Sequence, residues 1–119
     1  MEAIKAARAF GGSCRLAEED LARLCIIVEE LVANLYDHGG LTDRDEVELS
    51  LVAEQAQIRV TIVDCGMPFD PRMAPSFVQP ERGGGAGLAL VRAWAESMSY
   101  EVTGAGNRLE LLMPLRSRE

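Results

Sequence analysis

The chain has 119 residues, which fits one domain with a buried core. Hydrophobic residues make up 48% and charged residues 26%, an ordinary globular mixture. The net charge of −7 argues against nucleic acid as a partner, yet it leaves room for one nucleotide, whose phosphates backbone amides and a metal ion can hold.

Residues 2–10 read as a short helix that ends near Gly11-Gly12. Leu21, Leu24, Cys25, Val28, Leu31, Val32 and Leu35 then repeat at i, i+3, i+4, i+7, which predicts a helix over 17–38 with one buried face. Glu18, Glu19 and Asp20 suit its first turn, where the helix dipole favours acids, and Gly39-Gly40 ends it. Residues 46–53 and 57–63 alternate as half-buried strands do, and the short link Glu54-Gln55-Ala56 predicts an antiparallel hairpin. A loop from Cys65 to Gly87 follows, holding Pro68, Pro71, Pro75 and Pro80. Loops this long inside compact domains are usually functional or mobile. Residues 88–97 read as a helix with Leu88, Val91, Ala95 and Met98 on one face. Residues 98–103 and 107–113 form a last hairpin across Gly104-Ala105-Gly106. The expected fold is an α+β two-layer sandwich, a mainly antiparallel sheet with helices on one face, over a single domain of residues 1–119.

Cys14, Cys25 and Cys65 lie far apart, no Cys-x-x-Cys occurs, and there is one histidine, so no structural zinc site is expected. Reduced thiols and a cytoplasmic location are the simplest expectation. The N-terminal residues carry charges where a signal peptide needs an apolar run. No apolar stretch approaches the roughly 18 residues that a membrane span requires.

Three pieces carry candidate chemistry. Glu30 and Asn34 sit one turn apart on the second helix, in a stripe bordered by Ile26, Ile27 and Ala33, and His38 lies one turn further. A partly desolvated carboxylate suits a proton acceptor, and a neighbouring amide oxygen suits a hard cation. Alone, the same spacing also describes a solvated helix edge. Asp64, at the end of an apolar strand, can accept a hydrogen bond from an exocyclic amine such as that of adenine. Gly66, two residues on, lets the chain pass close to a flat base. Alone, this is also an ordinary turn. Gly83-Gly84-Gly85-Ala86-Gly87 feeds a helix N-terminus, which makes either an anion site or a flexible linker.

Together and in this order, the pieces resemble the Bergerat-fold (histidine-kinase-like) ATPases. Glu30-Leu-Val-Ala-Asn34 looks like their N box, Asp64-Cys-Gly66 like their G1 box, and Gly85-Ala-Gly87-Leu88 like their G2 box. The single-domain length, His38, Phe69-Asp70-Pro71 and the run into Arg92 are most similar to bacterial anti-sigma-factor serine/threonine kinases. The resemblance implies ATP and magnesium as cofactors, with Asn34 on the metal and Glu30 as the catalytic base. It implies a nucleotide-binding set of Asn34, His38, Asp64, Gly66, Phe69, Gly83, Gly84, Gly85, Gly87, Leu88 and Asn107. The implied partners are an anti-anti-sigma protein of the STAS fold, phosphorylated on serine or threonine, and a sigma factor. The implied role excludes direct nucleic-acid and membrane binding. A non-catalytic module that senses nucleotide and switches partners is the alternative.

Two departures from the family pattern carry expectations. Pro68 stands where a second glycine is common, which predicts a stiffer turn. Asn107 stands where a hydroxyl residue often supports the aspartate, and its amide is expected to take over that task. Relatives often dimerise through an N-terminal strand, for which few residues precede the long helix here, so the resemblance leaves a homodimer open.

Overall fold

The computed structural model describes residues 2–72 and 86–116. Its elements run α1 (Glu2–Cys14), α2 (Glu18–His38), β1 (Glu48–Glu54), β2 (Gln57–Asp64), α3 (Ala86–Trp94), β3 (Ser97–Thr103) and β4 (Gly106–Pro114). The four strands form one sheet in the order β1-β2-β4-β3, with every neighbouring pair antiparallel. The helices cover one face, as predicted.

Alternation decides which face that is. On β2, Ile58, Val60 and Ile62 are buried, with polar Arg59 and Thr61 between them. On β4, Leu109, Leu111 and Met113 are buried in the same rhythm. These rows meet Leu24, Ile27, Val28 and Leu31 of α2, and burying each such side chain is worth roughly 1.5–3 kcal/mol. The opposite face is mixed, with Val52, Val63 and Leu112 beside charged residues: Arg59 pairs with Glu54 at 2.7 Å and with Glu110 at 2.8 Å. An antiparallel sheet tolerates one wet face of this kind.

β1 runs Glu48–Glu54 where 46–53 was expected, and the bounds of α1 and α3 differ more. α1 continues through Gly11-Gly12 to Cys14. At Gly11 a Cβ would lie 2.5 Å from Leu21 Cδ1, so this glycine admits α2 and is not a stop. α3 starts at Ala86 and ends at Trp94, not at 97, so Ala95 and Met98 leave its face. The Ala95 N–H still donates to the Val91 carbonyl, but the Glu96 N–H donates to the Leu112 carbonyl at 2.8 Å. Sheet pairing therefore takes over from the helix within one residue. Among the described residues, no helix is long and apolar enough to cross a membrane.

Candidate functional site

The buried row on β2 ends in a carboxylate. After Ile58, Val60 and Ile62, the period of two puts Asp64 on the same helix-facing side, where it is 4% exposed. The buried row on β4 begins with Asn107, which is 2% exposed and lies directly opposite Asp64 in the ladder. The Asn107 amide donates to Asp64 Oδ1 at 3.1 Å and to the Gly66 carbonyl at 2.9 Å. The Gly66 N–H donates to the same Oδ1 at 2.9 Å. Asn107 thus supports the aspartate, as the departure at this position predicted. Among the described residues nothing hydrogen-bonds Asp64 Oδ2, which leaves one carboxylate oxygen able to accept from a ligand N–H.

The turn after β2 is clamped against the end of α2. The Met67 N–H donates to the Gly39 carbonyl at 2.7 Å. A Cβ on Gly66 would meet that carbonyl oxygen at 2.5 Å and Leu41 Cδ2 at 2.8 Å. The space saved by this glycine is filled by the protein itself, not by a ligand ring. One residue before Gly39, the exposed His38 ring stacks on Phe69, with centroids 4.7 Å apart and planes at 16°.

Phe69 is fixed further by Tyr100 of β3, whose hydroxyl oxygen accepts from the Phe69 N–H at 2.9 Å. Burial pushes the Tyr100 phenol above its ordinary pKa, the Phe69 N–H opposes that shift, and the charges of Asp64 and Asp70 add to it. Arg92 of α3 donates to the Pro71 carbonyl at 2.5 Å, which ties this segment to the third helix. Asp70 is held below the usual aspartate range by hydrogen bonds from the Arg72 guanidinium.

These elements border a narrow cleft lined by Leu31, Asn34, Leu35, Ile62, Asp64, Phe69, Pro71, Tyr100 and Leu109. Apolar walls with a few converging polar groups are what a small-ligand site needs. Asn34, Asp64 and Phe69 of the sequence-derived set line it directly. Gly66 and Asn107 join through Asp64, His38 through Phe69, and Glu30 through Asn34. The Asn34 amide donates to the Glu30 carbonyl at 2.8 Å and to Glu30 Oε2 at 3.1 Å. Gly87, in the first turn of α3, lies against Glu30. Leu88 is instead 4% exposed in the hydrophobic core, where its side chain packs with the apolar cluster. Gly83, Gly84 and Gly85 lie outside the described residues.

Sequence reasoning missed Tyr100 and the apolar walls, and Pro71 entered only through the Phe69-Asp70-Pro71 resemblance. Leu31, Leu35 and Ile62 were legible as core but not as cleft, because both roles give the same periodicity. Tyr100 had only its place on the last hairpin as a signal, and the bond to Phe69 depends on tertiary register.

The family model described as histidine kinase-like ATPase domain matches residues 1–113. The chain belongs to this family. Domains of the family bind ATP with magnesium, and its members include phosphotransferases. The solved structures it resembles include the blue-light activated histidine kinase of Erythrobacter litoralis EL346, at TM-score 0.58 and 23% identity. That match covers 84% of this chain but 32% of the kinase, so the chain spans about a third of its length. It also resembles the catalytic domain of the histidine kinase ThkA, at TM-score 0.58 and 16% identity, covering 96% of this chain and 92% of that domain. At these identities the likeness shows the fold alone, which is the Bergerat two-layer sandwich. No curated protein matches the chain significantly.

The residues present fit the family's nucleotide. A buried carboxylate keeps one oxygen available at one side of the cleft, and an amide paired with a carboxylate stands at another. Among the described residues, no cluster of three or more His, Cys, Asp or Glu could hold a metal unaided. A magnesium ion at Asn34 would therefore draw its other oxygens from phosphates and water, as this ion usually does.

Proposed function

We propose that this domain is an ATP-dependent serine/threonine protein kinase of the partner-switching type. Its substrate would be an anti-anti-sigma protein of the STAS fold, and its second partner a sigma factor held inactive. The observation that carries the reading is the pairing of Glu30 with Asn34 beside the cleft that Asp64 closes from the sheet side. A site that only bound nucleotide would need the metal ligand and the base-recognising carboxylate, but no second carboxylate at the metal.

ATP with magnesium supplies the transferable phosphoryl group when bound. Asp64 would accept from the adenine amine through Oδ2, while Asn107 and Gly66 hold its other oxygen still. Leu31, Ile62 and Leu109 would exclude water from the faces of the base. The Asn34 oxygen would hold the metal, and Glu30 would take the proton from the attacking serine or threonine hydroxyl. Such work is mostly positioning and charge stabilisation, which phosphoryl transfer chiefly requires.

The test is incubation with labelled ATP, magnesium and a STAS-fold protein encoded beside this chain, with Glu30→Gln in parallel. Expected is transfer to serine or threonine by the wild type and a loss of about 10²- to 10⁴-fold in Glu30→Gln, with ATP affinity retained. Wild-type protein that binds ATP and transfers nothing would refute the kinase and leave a nucleotide-sensing module.

A further inference from the structure

Asn34 can help hold a cation only if its oxygen, not its nitrogen, faces the metal. Its amide nitrogen carries two hydrogens, and among the described residues the two acceptors it bonds both belong to Glu30: the main-chain carbonyl at 2.8 Å and Oε2 at 3.1 Å. Turning the amide over would set its oxygen against two acceptors. Glu30 therefore selects the amide orientation in which Oδ1 points away from it.

Glu30 is itself held from the other side. In the first turn of α3, a Cβ on Gly87 would come within 2.8 Å of Glu30 Cγ and nearer still to the carboxylate. Only glycine lets α3 lie against Glu30 in this side-chain conformation. A helix N-terminus also favours a carboxylate beside it, so contact and electrostatics agree.

We propose that Gly87 is a positioning residue: by lacking a Cβ it keeps the Glu30 carboxylate on the Asn34 amide, and so aims the Asn34 oxygen for a metal. This rests on the magnesium site of the proposed function. It differs from the role the family resemblance implies for this glycine, which is to wrap phosphates directly. Alanine at this position pushes the flexible end of Glu30 away and removes no chemical group from the site. Alanine is also the better helix former, so α3 is not weakened by the backbone change.

The first measurement needs no ligand. In the whole chain, the side-chain amide resonances of Asn34 are compared between wild type, Gly87→Ala, Glu30→Ala and Glu30→Gln. Expected are shifts toward solvent-like positions in Gly87→Ala and Glu30→Ala, and retention in Glu30→Gln, whose amide oxygen still accepts. The second is calorimetric ATP affinity with and without magnesium chloride. The gain from magnesium should fall about three- to tenfold in Gly87→Ala, with the magnesium-free affinity unchanged. Unchanged Asn34 resonances in Gly87→Ala overturn the proposal. An equal loss of affinity without magnesium also overturns it and assigns Gly87 to direct phosphate contact. If Gly87→Ala does not fold, Glu30→Ala against Glu30→Gln tests the Glu30–Asn34 link on which the proposal depends, and unchanged Asn34 resonances in Glu30→Ala overturn it. If the wild type binds no ATP, the proposed function falls, and the ligand-free resonances still decide the inference.

Discussion

The two ends of the cleft are built differently. At the sheet end, Asp64, Gly66 and Asn107 share three hydrogen bonds, and the Gly66 turn is locked to the end of α2. At the helix end, Glu30 and Asn34 are joined by one side-chain pair, and α3 meets Glu30 at Gly87. A rigid carboxylate suits recognition of a flat base of constant shape. Groups that meet a metal and a phosphate chain undergoing transfer need freedom to adjust. Under the proposed function, the contrast means that base recognition would be prepared before binding, while the metal side would be set by a contact that a small change can release.

The contrast can be broken most strongly at Asn107. Asn107→Leu removes one of the two donors on buried Asp64 Oδ1 and leaves the Gly66 carbonyl without the Asn107 donor. The expected loss is about 3 kcal/mol of folding stability, read from denaturant unfolding. An unfolding midpoint within error of wild type would show that this network is not rigid in solution. Gly66→Ala comes next. Its Cβ would strike the Gly39 carbonyl oxygen and Leu41. Overpacking of this kind costs about 2 kcal/mol, and ATP affinity should fall with it because Asp64 loses its turn. By contrast, Gly87→Ala at the other end should leave the unfolding midpoint close to wild type. A large drop there would erase the difference between the two ends.

The smallest effect sharpens the comparison at its margin. Asp70 titrates below the usual aspartate range because Arg72 hydrogen-bonds its charged form. A depressed carboxylate contributes stability that is present above its unfolded pKa and lost as pH falls through the folded one. Exposure of the pair keeps this contribution small. Arg72→Ala should return the Asp70 midpoint toward the ordinary value in a carboxyl NMR titration. An unmoved midpoint would remove the ion pair from solution.

Much of the fold was legible because its signals are local. The 3.6-residue repeat from Leu21 to Leu35 marked α2 almost to the residue, and alternation at 57–63 marked β2. The ends of α1 and α3 were not legible. Gly11-Gly12 looks like a stop when only the chain is read, but Leu21 needs the space. Nothing near Trp94 announces that the Glu96 N–H will be taken by Leu112. The candidate site divides in the same way. Asp64, Glu30 and Asn34 stood out as polar residues on apolar patterns, whereas Tyr100 had no pattern to mark it.

By itself, then, the sequence determined the elements, the buried faces and the order of the three motifs, because periodicity and turn chemistry act over a few residues. Pairing of β2 with β4 decided that Asn107 meets Asp64, since strand register is a long-range property that no local pattern encodes. Packing of α3 on α2 decided that Gly87 meets Glu30. The first contact steadies one carboxylate oxygen, and the second aims one amide. Both follow from elements brought together only when the core closes.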